Sequence, residues 1–495
     1  MAKVMLINPP QRCIKGSGTF DVYFPTGLLY IAAMVKSICD VKIYDSLVTD
    51  FEVRKEEKFT YYGAPYEKIK DAIESFKPDI VGITCPFLAQ IESAKSISKL
   101  CKEIDSKITV VFGGAEASVK YRSLLDEDIC DYVVMGEGEK TFFEFVRSYF
   151  TSAQLKDIGG VASKTDGRIE FRPRKYIENL DEIPFPAYDL IRVGDYLKHP
   201  YLYRRRSRIP KNSITMITSR GCPFNCVFCA IKLHMGSRYR AHSADYVLNH
   251  LKYCIDKLGI SGFHFEDDNF SFNKARFIEI LDRIVDDKLK IRWDTPNGIR
   301  VDSLDSKVLK KMKKSGCFEI MLSIESGSQH VLSHIIKKGT NLDYIKEIVR
   351  ECKKVGIKMG AFFVIGFPGE TKDNIKDTLN LSLGLLKGYD VLPAILYAEP
   401  LLGTELYDIC LKEKFISAEI ATEDSWAGNN MIFGEPWFST HDFTKDELKS
   451  MVGEFLPKLT RELVKYSLRH PFQSLRQAVA TPQIAKKFVS FFKNS

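Results

Sequence analysis

The stretch SRGCPFNCVFCA, residues 219–230, places three of the chain's twelve cysteines within eight positions: Cys222, Cys226 and Cys229. It follows a β-branched run, and it contains the Gly and Pro of a loop. Three thiolates on one short loop can reach a single metal centre. A cubane iron–sulfur cluster normally takes four cysteines, so three leave one iron with an open position where a small molecule can bind.

A closed zinc site is the alternative for this loop. It would need a fourth ligand, for which His234 and Cys254 are the nearest candidates, and neither has the paired spacing of a zinc finger. The spacing of the three cysteines is compatible with both an iron–sulfur cluster and a zinc site, and the segments around the loop distinguish them.

Strands and helical segments alternate from residue 212 onward. Six runs read as strands: SITMITSRG, GFHFEDD, IRWDTPNGIR, FEIMLSIESG, KMGAFFVIGFPGE and DVLPAILYAEP. With helices between them, they predict a partial, six-unit (β/α) barrel of the TIM type over residues 212–405. Chemistry in such barrels sits at the carboxyl ends of the strands, where this chain gathers polar residues: Glu266, Asp267, Asp268, Asn297, Arg300 and Glu325.

Residues 1–150 also alternate, with five β-branched runs that end in Pro, Gly or Asp. Near-continuous apolar strands separated by helices predict a doubly wound, Rossmann- or flavodoxin-like domain. Such domains bind ligands at the carboxyl ends of their strands. The residues there are small or turn-forming, and either they let a large ligand approach the backbone or they only form turns: Thr84, Gly113, Gly114, Gly136, Glu137 and Gly138.

The remaining segments have no such alternation. Residues 151–211 read as a connector rich in Pro and Asp, with a basic run at Arg204, Arg205, Arg206 and Arg208, and residues 406–495 read as a mostly helical extension. The tail from 461 carries seven basic residues and one acidic residue, Glu462, among interspersed apolar residues. It either packs on the barrel or makes peripheral contact with a lipid surface.

Composition restricts the class of protein. The 495 residues contain no apolar run long enough to span a membrane, and the start lacks a secretory signal, so we expect a cytoplasmic protein with reduced thiols. A net charge of +8 is small for this length, and we expect no nucleic-acid partner.

The region 212–405 resembles the radical S-adenosylmethionine enzymes. The resemblance lies in the three-cysteine loop and in HFEDDNF, NGIRVDSLD, LSIESGS and VIGFPGET, which stand in the family's order. It implies that the three cysteines hold a [4Fe-4S] cluster whose open iron binds S-adenosylmethionine. It also implies S-adenosylmethionine contacts from Phe228, Glu266, Asp267, Asp268, Arg300, Ser323, Glu325, Gly366 and Pro368.

Residues 1–150 resemble the cobalamin-binding domain that precedes many of these barrels, through INPP, DIVGIT, VVFGGAEAS and VVMGEGE. The resemblance implies cobalamin contacts from Thr84, Gly113, Gly114, Gly136, Glu137 and Gly138. The Asp-x-His-x-x-Gly motif that ligates cobalt elsewhere is missing, and the first histidine of the chain is His199. Residues 1–150 therefore offer cobalt no imidazole.

Together the resemblances imply an enzyme that transfers a methyl group to an unactivated carbon or to phosphorus, through a 5′-deoxyadenosyl radical and methylcobalamin. The substrate would be a small molecule or a lipid, and the electron donor a protein such as flavodoxin or ferredoxin. Three alternatives stay open. They are a cobalamin-dependent cyclase or rearrangement enzyme, a cobalamin sensor with a degenerate barrel, and a tRNA-type methylthiotransferase using Cys13, Cys39 and Cys85 for a second cluster. No general acid or base can be assigned.

Overall fold

The computed structural model describes residues 2–14, 20–151, 155–202, 210, 212–417 and 434–471. They form two compact units. The first holds the chain up to Leu202 together with Ala230–Arg240, and the second holds the other described residues.

The first unit is built on ten strands. They are β1 (Lys3–Asn8), β2 (Gln11–Ile14), β3 (Asp40–Asp45), β4 (Glu52–Lys55), β5 (Phe59–Gly63), β6 (Ile80–Thr84), β7 (Thr109–Gly113), β8 (Tyr132–Val134), β9 (Val161–Thr165) and β10 (Arg168–Phe171). Its helices are α1 (Thr26–Val35), α2 (Tyr66–Phe76), α3 (Ile91–Ile104), α4 (Ala115–Val119), α5 (Tyr121–Asp126), α6 (Gly138–Tyr149), α7 (Val193–Lys198) and α8 (Ile231–His234).

The main sheet of this unit has the order β10-β9-β8-β7-β6-β1-β3. Its five predicted strands, β8 to β3 in that order, are parallel, and both faces are apolar because helices cover them. Side chains of α1 and α6 pack on one face, and those of α2, α3 and α5 on the other. The doubly wound fold predicted from the sequence is confirmed.

The segment predicted as a connector contributes two strands to this sheet. β9 pairs antiparallel with β8, and β10 with β9. The hairpin between them turns at Asp166 and Gly167, whose φ angles of 50° and 74° suit a two-residue type I′ turn. The basic run Arg204–Arg208 lies outside the described residues.

The second unit contains the remaining elements. Its strands are β11 (Ser213–Met216), β12 (Ser219–Arg220), β13 (Arg240–Ala241, which begins at the last residue of the first unit), β14 (Gly262–Phe265), β15 (Arg292–Ile299), β16 (Cys317–Glu325), β17 (Lys358–Ile365) and β18 (Leu392–Tyr397). Its helices are α9 (Ala244–Leu258), α10 (Lys274–Asp286), α11 (Ser306–Lys314), α12 (Leu342–Val355), α13 (Lys372–Tyr389), α14 (Glu405–Lys412) and α15 (Lys445–Arg469).

Six of these strands form one parallel sheet in the order β11-β14-β15-β16-β17-β18, with β11 and β18 at its edges. This is the predicted six-stranded partial barrel. The described part of the C-terminal extension is mostly helical, with α14 and α15 as its helices and irregular chain at 413–417 and 434–444. The part of the tail beyond residue 471 lies outside the described residues. None of the described helices has the length and apolar character to cross a membrane.

Candidate cofactor sites

The three-cysteine loop begins directly after β12, and the carboxyl end of β14 holds its first turn. Asp267 Oδ1 accepts hydrogen bonds from the Thr218 backbone N–H at 3.1 Å, the Thr218 hydroxyl at 2.7 Å and the Ser219 hydroxyl at 2.5 Å. Asp268 Oδ2 accepts one from the backbone N–H of Gly221 at 2.7 Å. Both carboxylates therefore order the backbone that leads into the cysteines.

The thiols of this loop differ from the other cysteines of the barrel. Cys222, Cys226 and Cys229 are half-buried, whereas the thiols elsewhere in the second unit are buried in the core. The Asn269 side-chain amide lies 3.8 Å from Cys222 Sγ, as an N–H donor to sulfur. Cluster-bound sulfurs accept such hydrogen bonds, so the donor set fits an iron–sulfur cluster.

In the described residues, no three His, Cys, Asp or Glu side chains are arranged around a single ion. A cubane places each thiolate on a different iron, so its sulfurs lie farther apart than the ligands of one zinc ion. Of the two candidates for a fourth zinc ligand, Cys254 is buried in the core on α9, and His234 is half-buried on α8.

Two cations lie near the middle cysteine. Burial raises the pKa of the Cys226 thiol, and the charges of Lys338 and Arg300 oppose that shift. Lys338 Nζ lies 2.6 Å from Glu325 Oε1 in an ion pair that is almost wholly buried. The Arg300 guanidinium lies 3.5 Å from the centre of the Phe224 ring and donates to Asp302 and to the Lys338 carbonyl. Sequence analysis predicted Arg300 and Glu325 as site residues but missed Lys338.

The third and fourth barrel strands are fitted together by a bulge. The pairing of β15 with β16 shifts between Thr295 and Ile299, and Gly298 has a φ of 103° there. A Cβ atom on Gly298 would stand 2.4 Å from the Ser323 hydroxyl oxygen. Asn297, exposed at the bulge, donates to the carbonyl of Glu266 at 2.8 Å. The bulge thus connects the ends of three neighbouring strands.

The segment GFPGE after β17 forms a turn around a buried carboxylate. Glu370 Oε2 accepts the backbone N–H groups of Gly366 at 2.7 Å and Phe367 at 3.1 Å. Burial raises the pKa of Glu370 to about 8, while these two hydrogen bonds oppose the shift. The Phe367 ring lies 5.8 Å from that of Phe228, and Pro368 is half-buried beside it. Phe228 and the Gly366–Pro368 segment, both predicted to contact S-adenosylmethionine, are therefore neighbours.

In the first unit, the glycine loops at the carboxyl ends of β7 and β8 lie together. The Ser118 hydroxyl donates to the Gly114 carbonyl at 2.8 Å and accepts the Gly136 N–H at 3.0 Å. Gly114 has a φ of 103°, and a Cβ atom there would be 2.9 Å from the backbone of Cys85. Thr84 and Gly113 end adjacent strands, so the predicted cobalamin residues lie along one edge of the sheet, the edge where doubly wound domains bind their ligands.

Glu137, between these glycines, is engaged within the protein. Its carboxylate accepts two hydrogen bonds from Arg240 Nη1, at 2.7 and 2.8 Å, and one from the Ile177 N–H at 3.0 Å. The following Gly138 begins α6, where a Cβ atom would stand 3.1 Å from the Ile31 side chain. The position of Glu137 and Gly138 in a turn does not predict their contacts with Arg240 and Ile31.

A buried polar network at the ends of β1 and β3 was also missed. Asp45 accepts from the Asn8 amide at 2.9 Å, the Leu47 N–H at 3.0 Å and the Tyr196 hydroxyl at 2.7 Å. Gln90 donates to the Asn8 side-chain oxygen at 2.8 Å. Burial raises the pKa of Asp45 to about 6, although these three donors lower it. In the sequence, this network is indicated by two polar residues, Asn8 in INPP and Asp45 at the end of a strand-like run.

The cysteines considered for a second cluster lie in different elements of the first unit. Cys13 lies on β2, Cys39 follows α1 and donates to the Val35 carbonyl at 3.3 Å, and Cys85 follows β6. Burial raises the pKa of each thiol, to about 11 for Cys13 and Cys39. Cys39 and Cys85 are buried in the core, as most free cysteines are, whereas Cys13 is half-buried.

Comparison with known proteins gives a consistent result. Residues 216–382 match the model of the radical SAM superfamily, and residues 19–146 match that of the B12 binding domain. The chain is 33% identical to an uncharacterized methyltransferase, PH0819, of Pyrococcus horikoshii, over 93% of this chain and 91% of that protein. It is 27% identical to the cytidylyl-2-hydroxyethylphosphonate methyltransferase of Streptomyces wedmorensis, over 84% of this chain and 83% of that one.

A solved structure shares the fold. The radical S-adenosylmethionine methyltransferase TsrM of Kitasatospora setae, determined with tryptophan and a SAM analogue, superimposes with a TM-score of 0.64 at 16% identity. The match covers 84% of this chain and 77% of that one.

Proposed function

The chain belongs to the radical S-adenosylmethionine enzymes that carry a B12-binding domain, and we propose that it transfers a methyl group to an unactivated carbon or to phosphorus in a small molecule. The observation that carries the proposal is the combination of two sites in one chain. One unit presents three half-buried thiols on an ordered loop, and the other presents glycines along one sheet edge. The cofactors of the protein are a [4Fe-4S] cluster, S-adenosylmethionine and cobalamin.

When bound, these cofactors supply a 5′-deoxyadenosyl radical that removes a hydrogen atom and a methyl group that replaces it. An unactivated carbon has no lone pair to attack a methyl donor directly, so both are needed. The protein contributes binding, orientation and the exclusion of water.

We assign the residues by their environments. Cys222, Cys226 and Cys229 would hold the cluster, and Asp267 and Asp268 would hold their loop in place.

For S-adenosylmethionine, Phe228 and Gly366–Pro368 would enclose the adenine. The polar and ionic parts of that molecule would meet four residues at the strand ends, Glu266, Arg300, Ser323 and Glu325. For cobalamin, the sheet edge at Thr84, Gly113, Gly114, Gly136 and Gly138 would receive the corrin and its tail.

The partners follow from this chemistry. A cluster that starts each cycle reduced needs an electron donor, for which a flavodoxin or ferredoxin is suitable. No disulfide links any of the twelve cysteines, all of which lie within the described residues, and a cytoplasmic location would keep them reduced. We extend the proposed acceptors to lipids because the basic tail suits an anionic surface.

The test is anaerobic reconstitution with iron, sulfide and cobalamin, followed by incubation with S-adenosylmethionine and a reductant. We expect both 5′-deoxyadenosine and S-adenosylhomocysteine, the products of radical formation and of methyl donation. Cys226→Ala should abolish 5′-deoxyadenosine, and Cys13→Ala, at another half-buried cysteine, should leave it unchanged.

The other outcomes separate the alternatives. Formation of 5′-deoxyadenosine without S-adenosylhomocysteine would overturn methyl transfer in favour of a cyclase or rearrangement enzyme. Formation of neither product by protein that holds iron and cobalamin would indicate a sensor.

A further inference from the structure

One buried ion pair in the first unit joins three separate segments of the chain. The side chains of Arg240 and Glu137 are 2% and 3% exposed, and they meet at 2.7 Å. Arg240 also donates to the carbonyls of Ile177 at 2.9 Å and Met235 at 2.8 Å. The pair therefore ties the Gly136–Gly138 loop, the chain around Ile177 and the segment Ala230–Arg240 together.

An aromatic ring reinforces the same junction. The Arg240 guanidinium lies 4.7 Å from the centre of the Tyr176 ring. That ring occupies the space beside Gly236, where a Cβ atom would be 2.7 Å from it and where φ is 80°. Gly136 approaches the same segment, since a Cβ atom on it would be 3.3 Å from the His234 carbonyl oxygen. The segment is thus fitted closely to the loop at the end of β8.

The position of this segment in the chain gives the pair its significance. Ala230 is the residue after Cys229, the last thiol of the cluster loop, yet Ala230–Arg240 packs as part of the first unit. Glu137 stands between two glycines that we assign to cobalamin. Both carboxylate oxygens of Glu137 already accept hydrogen bonds from the protein.

We propose that Arg240 and Glu137 are positioning residues, which hold the segment leaving the cluster cysteines against the cobalamin-binding loop. The binding of cobalamin and the order of this segment are then linked. This inference rests on the proposed function, because it takes the Gly136–Gly138 loop as part of the cobalamin site. Since linkage is reciprocal, cobalamin should order the segment, and loosening the segment should weaken cobalamin binding.

The chain offers a matched control. Arg174 and Glu144 form a bidentate ion pair in the same unit, with hydrogen bonds of 2.8 and 2.7 Å. This pair is more exposed than Arg240–Glu137 and does not involve Ala230–Arg240. Glu137→Gln and Glu144→Gln each neutralise the carboxylate that is paired with an arginine. A general effect of losing such a pair would appear in both variants.

The experiment measures two quantities on the full chain reconstituted with iron and sulfide. One is the dissociation constant for hydroxocobalamin, and the other is hydrogen–deuterium exchange in peptides covering 230–240. In the wild type, cobalamin should slow exchange there. Glu137→Gln should raise the dissociation constant by about 5- to 150-fold, the usual size of the coupling between two linked sites, and should speed exchange. Glu144→Gln should change neither quantity.

A second variant protects the test if Glu137→Gln does not fold. Tyr176→Leu keeps the ion pair but removes the ring beside Gly236, and it should shift both quantities in the same direction by a smaller factor. Equal cobalamin affinity in wild type and variants, or equal losses in the Glu144→Gln control, would overturn the inference. Failure of the wild type to bind cobalamin would instead count against the proposed function.

Discussion

Asp268 accepts the backbone N–H of Gly221 at 2.7 Å, and the next residue along the chain is the first cysteine of the loop. A strand-end carboxylate thus fixes the direction in which the loop leaves β12. Asp267, the residue before Asp268, holds Thr218 and Ser219 in place through three hydrogen bonds. The adjacent acidic residues of HFEDDNF thus act on the cysteine loop from the end of β14.

We therefore expect Asp268→Ala to lower the iron content of reconstituted protein although all three cysteines remain. A hydrogen bond to a charged group contributes about 1.5–3 kcal/mol, so the ordered loop should lose roughly that much. Asp267→Ala should lower the iron content further, because three hydrogen-bond donors lose their acceptor. Iron and sulfide per chain are the measurement. Asp282→Ala, on α10 in an exposed ion pair with Lys311, is the control and should keep full iron content.

The bulge at Gly298 gives a second prediction. Gly298→Ala should destabilise the barrel and weaken S-adenosylmethionine binding, since its methyl group would collide with the Ser323 hydroxyl. The left-handed backbone alone costs a non-glycine residue about 1–2 kcal/mol. Gly259→Ala separates the two causes, because Gly259 has a φ of 66° but no atom within 4 Å of the added Cβ. Equal melting temperatures and affinities in the two variants would contradict the role of the bulge.

The buried carboxyl of Glu370 predicts a pH dependence. Its pKa of about 8 in the folded protein lies above the ordinary value of a glutamate, so the folded chain keeps a proton that the unfolded chain releases. The stability from this group is complete below the unfolded pKa and is lost as pH rises toward 8, by up to about 1.4 kcal/mol per pH unit.

Glu370→Gln keeps a carbonyl oxygen for the two backbone donors and removes the titration. We expect the urea midpoint of this variant to rise relative to wild type as pH increases from 5 to about 8. Glu454→Gln, an exposed position on α15, should follow wild type across the same range. A constant difference between Glu370→Gln and wild type would show that the side chain does not titrate there.

The Lys338–Glu325 pair gives a further prediction. Lys338→Met leaves the buried Glu325 without its cation, and breaking a buried pair on one side costs about 3–5 kcal/mol. We expect a lower melting temperature and at least tenfold weaker S-adenosylmethionine binding, since about 1.4 kcal/mol suffices for that factor. Lys337→Met is the matched control, because Lys337 is half-exposed and pairs with Glu405. It should alter affinity by less than about twofold.

The strand pattern was predictable because parallel strands covered on both faces are continuous apolar runs, as in DIVGIT and ITVVFGG. The β9–β10 hairpin was predictable too, since Asp166-Gly167 separates two short β-rich runs. It was missed because the surrounding Pro and Asp residues are typical of a connector. Its physical role is to extend the parallel sheet with antiparallel strands.

Side-chain direction could not be predicted in the same way. Strand periodicity places Asp267, Asp268 and Glu137 just after the carboxyl ends of strands. In a turn, side chains do not alternate between two faces as they do in a strand, so the sequence does not indicate where these side chains point. The partners of these residues lie 40 to more than 100 positions away, as with Glu137 and Arg240. Lys338 was missed because it lies well after its strand and resembles a surface lysine in IIKKG.

The open sheet of the second unit has a consequence for association between molecules. Edge strands expose unpaired backbone groups that can add strands from other chains. Here one edge strand, β11, is four residues long, and the other, β18, contains Pro393, which has no N–H to donate. Short edges and edge prolines both discourage such pairing. Among the described residues, both edges of the sheet thus have features that disfavour aggregation.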